Sequence, residues 1–206
     1  MTVHSGHPVV PPVRRPAGPS AARPTVASIE GAPAASGTRP VVVLVGPPGS
    51  GKSTVGRALA RATGLAFRDT DVDIEAKAGK PIPDIFVIDG EPVFRAMETD
   101  AVIAALSSHG GILSLGGGSV LAEKNRAALA GHPVVFLSVT MPTGVKRTGL
   151  ASNRPLLAGV NPRATYKALL DARLGLYQEV ATLVVETDNL TVDEVVAAIM
   201  DGLGLA

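Results

Sequence analysis

An α/β fold is predicted, three layers deep, with a five-stranded parallel sheet between two layers of helices. Three features of the sequence lead there. Short apolar runs rich in β-branched residues alternate with stretches of helical period, a glycine-rich segment joins the first run to the first helix, and the alternation continues to the C-terminus. Strands that alternate with helices are joined by crossovers and run parallel, and such a sheet has to be covered on both faces.

The elements follow in order. Residues 1–38 stand apart: they hold seven prolines, a single acid (Glu30) and no periodic pattern. Such a stretch buries too little apolar surface to offset the entropy of ordering it, so a disordered tail is expected over 1–38 and a folded domain over 39–206. No apolar segment follows Arg14 and Arg15, which argues against a signal peptide. Val41–Val45 is a continuous apolar run ended by Gly46, as in a strand buried on both faces. Lys52–Thr63 reads as a helix stopped by Gly64, and Ala66–Asp69 as a second strand. Glu91–Ser108 is helical, with Pro92 where a first turn tolerates it. Ile112–Leu115 and Val134–Val139 are strands, with a helix near Leu121–Leu129 between them. Asn161-Pro162 supplies a cap and first-turn pair for a helix running to about Tyr177. Leu183–Val185 is the last strand. Thr191 and Glu194 have capping-box spacing, and Val192, Val195, Val196, Ile199 and Leu203 then recur on one helical face.

Composition narrows the chemistry. Nineteen basic against 18 acidic residues leave a formal charge of +1, which gives no electrostatic case for a nucleic-acid binder. Aromatic residues are 3% of the chain, too few for a base-stacking platform. No apolar run reaches the ~18 residues of a membrane helix. With no cysteine there is no disulfide frame and no thiolate, as suits a reducing cytoplasm. His4, His7, His109 and His132 lack the H-E-x-x-H spacing of a metal hydrolase.

Gly46-Pro47-Pro48-Gly49-Ser50-Gly51-Lys52-Ser53 matches G-x-x-x-x-G-K-[ST] between a strand and a helix. Glycines let backbone N–H groups close around phosphate oxygens, the helix N-terminus adds positive potential, Lys52 reaches the outer phosphates, and the Ser53 hydroxyl suits Mg²⁺. Nucleotide binding follows, but the class stays open. The guanine-reading N-K-x-D segment of a GTPase is absent.

Outside that loop, Asp69-Thr70-Asp71 ends the second strand. On an extended segment two carboxylates two residues apart face the same way, so one could hold Mg²⁺ through water while the other accepts a proton. An acidic helix cap explains the same spacing equally well. Gly116-Gly117-Gly118 follows the third strand, where bare backbone lets a ligand lie against main-chain N–H groups, or simply forms a turn. Arg95, Arg154 and Arg173 each carry the planar fork that grips carboxylate or phosphate, although a surface ion pair is the commoner use of any one arginine.

Taken together and in order, Gly46 to Thr54, Asp69-Thr70-Asp71, Asp84-Ile85-Phe86, Asp89-Gly90-Glu91, Phe94-Arg95 with Glu98, Gly116-Gly117-Gly118, Arg154-Pro155-Leu156-Leu157, and Arg173 four residues before Tyr177 resemble shikimate kinases over Val41 to about Met200. The resemblance implies a P-loop kinase fold with a lid over about 148–160 and a substrate-binding subdomain. It implies transfer of the ATP γ-phosphoryl group to the 3-hydroxyl of shikimate, giving shikimate 3-phosphate and ADP, in chorismate and aromatic amino acid biosynthesis. By the same resemblance Gly49, Ser50, Gly51, Lys52, Ser53 and Thr54 bind ATP, with Arg147 near the adenine and Arg154 on the phosphates. Asp71, Arg95, Gly117, Gly118 and Arg173 bind shikimate. Asp71 orients or deprotonates the hydroxyl, and Lys52, Asp71 and Arg154 form the catalytic set. Ser53, with Asp69 through water, holds Mg²⁺. A cytoplasmic monomer with ATP and shikimate as its ligands is expected, without nucleic acid or membrane partners. A gluconate-type carbohydrate kinase and a nucleotide-binding regulator without catalysis are the alternatives.

Overall fold

The structure is a computed structural model that describes residues 39–148 and 161–205. The N-terminal tail, Arg154 and all but Thr148 of the expected lid lie outside the described residues. Five strands are present, β1 (Val42–Val45), β2 (Phe67–Asp69), β3 (Ile112–Ser114), β4 (Val134–Ser138) and β5 (Leu183–Glu186). They form one sheet in the order β2-β3-β1-β4-β5, with every neighbouring pair parallel.

Side-chain alternation along β1 builds both cores. Val42 and Leu44 point to one face, where they meet Val55 and Leu59 of α1 (Lys52–Thr63) and Val195, Val196 and Ile199 of α8 (Val192–Leu203). Val43 and Val45 point to the other, against Val102 and Leu106 of α4 (Glu91–Ser108), Leu129 of α5 (Glu123–Leu129) and Tyr177 of α7 (Pro162–Val180). All four β1 residues are buried, which is why that strand reads as an unbroken apolar run.

The caps expected from sequence are formed. The Asn161 side chain accepts from the Ala164 N–H at 3.2 Å, and Thr191 and Glu194 make the reciprocal capping box of α8. Along α8, Val195, Val196 and Ile199 are buried, while Val192 is 37% exposed. That residue faces a cavity beside the glycine-rich loop instead of the core.

Three helices add to those read along the sequence, the first of them at the acidic cap that the Asp69–Asp71 spacing allowed. Helices α2 (Thr70–Ala78) and α3 (Ile82–Ile88) form with α4 a small core of their own around Ile74, Ile85 and Phe94. The third, α6 (Met141–Thr148), precedes the segment outside the described residues. A short 3₁₀ turn over Ser119–Leu121 also delays the start of α5. Among the described residues no helix is long and apolar enough to cross a membrane.

Candidate active site

The sequence turns from β1 into α1 through the glycine-rich loop. Gly51, the α1 N-cap, has φ 92°, a conformation that a residue with a Cβ adopts only under strain. The turn leaves the first N–H groups of α1 without helical partners and open to an anion. Lys52 Nζ curls back onto the loop, donating to the carbonyls of Gly46 at 2.8 Å and Pro47 at 3.2 Å.

Two cavities flank this loop. One, of about 530 Å³, lies over Gly49 to Thr54 and extends to Arg147, Thr187 and Val192. The Arg147 guanidinium is held by the Thr187 hydroxyl at 2.9 Å and by the Thr187 carbonyl at 2.5 Å. The other, of about 380 Å³, contains Asp71, Arg95, Gly117, Gly118 and Arg173. Lys52 and Ser53 belong to the walls of both.

Of the two readings of the acidic pair, the helix cap is formed and the shared extended segment is not. Asp69 ends β2, but it is also the N-cap of α2, and its Oδ1 accepts the Asp71 N–H at 3.1 Å. Asp71 sits in the first helical turn, so the two carboxylates do not share an extended segment. The cap and the site are one arrangement: Asp69 caps with Oδ1 and uses Oδ2 to accept from Ser53 Oγ at 2.8 Å. Asp71 is half-buried as a residue, yet its Oδ1 is sealed from solvent and accepts no hydrogen bond among the described residues. Burial pushes its carboxyl up to about 6, and the neighbouring Asp69 charge adds to the rise. Lys52 opposes it, while Glu98 and Glu75 push the same way.

Arg95 lies one turn into α4 and packs beside the rings of Phe94 and Phe86. Its Nη1 donates to Glu98 at 2.7 Å, and its Nε and Nη2 donate to one oxygen of Glu91, at 3.1 and 2.9 Å. The two partners differ: the Glu98 side chain is 2% exposed and that of Glu91 53%. Glu98 is further held by Ser119 Oγ at 3.0 Å. Arg173, buried on α7, donates from Nη1 to the Gly117 carbonyl at 3.1 Å, and the Tyr177 hydroxyl donates to the same oxygen at 2.5 Å. Burial pushes the Tyr177 phenol above its ordinary range, although Arg173 works against the rise. That hydroxyl therefore stays a donor.

The glycine turn serves side chains as well as backbone. A Cβ on Gly116 would stand 2.5 Å from Asp71 Oδ1, and one on Gly118 would collide with the Arg95 guanidinium. Its register is pinned by Thr70, whose hydroxyl accepts from the Gly116 N–H at 3.2 Å.

All the described residues expected at the site are thus gathered around one loop. For Mg²⁺, Ser53 Oγ and Asp69 Oδ2 offer hard oxygen donors side by side. Among the described residues no three His, Asp or Glu side chains cluster as a cation cage. The donor set therefore fits Mg²⁺ bound in the manner of nucleotide enzymes, with most ligands from water and phosphate.

The shikimate kinase family model matches residues 48–203. The chain belongs to the shikimate kinase family. The shikimate kinase of Saccharopolyspora erythraea is 64% identical over 162 residues, covering 79% of this chain and 93% of that protein. That of Salinispora arenicola is 61% identical over 155 residues, 75% of this chain and 92% of the relative. Among solved structures, shikimate kinase from Acinetobacter baumannii in complex with shikimate superimposes with a TM-score of 0.76 at 39% identity, over 80% of this chain and 92% of that one. The family places the chain among ATP-dependent kinases with a P-loop fold. Thr70, Glu98 and Tyr177 enter the sequence reading as pattern residues without a task, the last two at i+3 from Arg95 and i+4 from Arg173.

Proposed function

We propose that this chain transfers the γ-phosphoryl group of ATP to the 3-hydroxyl of shikimate, forming shikimate 3-phosphate and ADP for aromatic amino acid biosynthesis. One observation carries the reading: two cavities of different chemistry share Lys52 and Ser53. The cavity with the phosphate loop, Arg147 and Val192 suits a nucleotide, and the cavity with Arg95, Arg173 and Asp71 suits a small hydroxylated acid. The shared residues mark where a phosphoryl group passes from one to the other.

Each side chain then has a task. Loop N–H groups and Lys52 stabilise charge that spreads over the transferring group, the main help a protein gives this reaction. Arg95 and Arg173 orient the acid through its carboxylate. Asp71 Oδ1, buried and without a partner among the described residues, is placed to accept the hydroxyl proton. Ser53 and Asp69 would hold Mg²⁺, which when bound offsets phosphate charge. Arg154 and Arg147 are proposed on the phosphates and near the adenine, and a monomer is the proposed working form.

ADP release from ATP and Mg²⁺ with shikimate, gluconate or nucleoside monophosphates tests the reading. Release dependent on shikimate is expected. Equal or greater release with gluconate, or none with any acceptor, would overturn it.

A further inference from the structure

Two side-chain oxygens in the acid-side cavity are buried and lack a hydrogen-bond partner among the described residues. One is Asp71 Oδ1, for which proton acceptance gives a use. The other is Ser114 Oγ, on a residue 1% exposed. A buried hydroxyl without a partner is unfavourable, and the end of a buried strand would be filled at less cost by alanine or valine. Ser114 thus stands where structure alone gives no reason for a hydroxyl.

Sheet register shows what it faces. Ser114 pairs with Asp69 of β2 on one side and Leu44 of β1 on the other. Residues in register on parallel strands point to the same face. Leu44 packs with Val55 and Leu59, so that face is the one covered by α1. Ser114 therefore lies at the carboxyl end of the sheet on the side of the Ser53–Asp69 hydrogen bond, in the same cavity wall as both.

We propose that Ser114 is a positioning residue for the metal: its Oγ holds a water of the Mg²⁺ shell, acting beside Asp69 while Ser53 supplies the direct protein oxygen. This rests on the ATP-dependent reading above. A hydroxyl suits the place because Asp69, Asp71, Glu75 and Glu98 already line the cavity, and a fifth carboxylate would raise the cost of keeping them charged. A metal-bound water is a strong donor, and a serine oxygen accepts from it without adding charge.

The test uses Mn²⁺ as a probe with ADP and the full chain, no acceptor being present. Bound Mn²⁺ is read by the loss of the free-ion paramagnetic signal. Ser114→Ala should weaken Mn²⁺ binding in the ADP complex by about 10-fold, at the lower end of effects seen when an outer partner of a metal is removed. Affinity for metal-free ADP should stay as in the wild type, the melting temperature should be equal or higher because the unpartnered hydroxyl is removed, and Ser114→Thr should restore Mn²⁺ binding. Unchanged Mn²⁺ affinity in Ser114→Ala overturns the assignment, and so does an equal loss of metal-free ADP binding. Either result leaves ATP-dependent transfer standing, whereas a wild type that holds no Mn²⁺ with ADP would remove both.

Discussion

The two cavities that meet at Lys52 are built by opposite strategies. The nucleotide side is mostly backbone: eight consecutive residues, Gly46 to Ser53, supply the turn, the amides and the lysine. The acid side is mostly side chains, brought from α2, the α4 first turns, the glycine turn after β3, and α7. A local motif is recoverable from spacing, because all its parts lie within one loop. A site assembled across about a hundred residues is not, since no spacing rule joins Asp71 to Arg173. The difference predicts that acid-side changes leave nucleotide binding intact.

The largest effect should come from Asp71→Asn. If this carboxylate takes the hydroxyl proton, turnover falls by about 10²–10⁴-fold, while ADP affinity by calorimetry stays near wild type. With its carboxyl held near 6, wild-type turnover should rise with pH through that value as the basic form appears. Stability moves the other way. The folded protein binds the Asp71 proton more tightly than the unfolded chain, so between about 4 and 6 stability falls as pH rises. Above that window the charged form is a liability, and Asp71→Asn should be more stable by on the order of 1–3 kcal/mol. Denaturant melts at pH 5 and pH 8 check this, and a variant less stable at pH 8 would contradict it.

Arg173→Ala comes next. If Arg173 pairs with the shikimate carboxylate as proposed, its loss leaves that group under-paired and should cost about 2–5 kcal/mol of shikimate affinity. It also frees the Gly117 carbonyl, although Tyr177 still donates to that oxygen. Calorimetric titration with shikimate and with ADP separates the two sides. A matching loss of ADP affinity would erase the contrast between them.

How far the fold and site were legible follows from the same division. β1, with alternate residues feeding two cores, could be read directly, as could the caps at Asn161 and Thr191, because each signal is local. α3 was not legible and α2 only as an alternative cap: their apolar residues pack into a separate small core with Phe94, and α2 follows β2 with no intervening loop. For Asp69 and Asp71 the spacing allowed either a shared site or a helix cap, and it could not show that both hold, since Asp69 ends a strand, caps a helix and meets Ser53. Glu98 and Tyr177 could be picked out by pattern but not given a task, because what they do is hold Arg95 and the Gly117 carbonyl.

On the nucleotide side, Arg147→Lys sharpens the contrast with a smaller expected change. The Thr187 hydroxyl and carbonyl fix the plane of the guanidinium, a geometry that an ammonium cannot reproduce. Loss of a flat cationic surface beside a base should cost about 0.5–2 kcal/mol of ADP affinity, with shikimate affinity unchanged. A loss shared equally by both ligands would mean that Arg147 serves the sheet edge and not the nucleotide.

The smallest change expected is a gain. Arg95 divides its donors between buried Glu98 and half-exposed Glu91, and only the second pair is easily exchanged. If a substrate carboxylate binds Arg95 as proposed, it has to compete with Glu91 for Nε and Nη2. Glu91→Gln removes the competing charge while Glu98 still orients the guanidinium. Because an exposed pair contributes only about 0–1 kcal/mol, shikimate affinity should tighten by at most about fivefold, that energy expressed as a ratio. The gain should shrink at high salt, where the Glu91 charge is already screened. Weaker shikimate binding in Glu91→Gln would show instead that Glu91 holds Arg95 in its working position, and both glutamates would then belong to the fixed frame of the acid side.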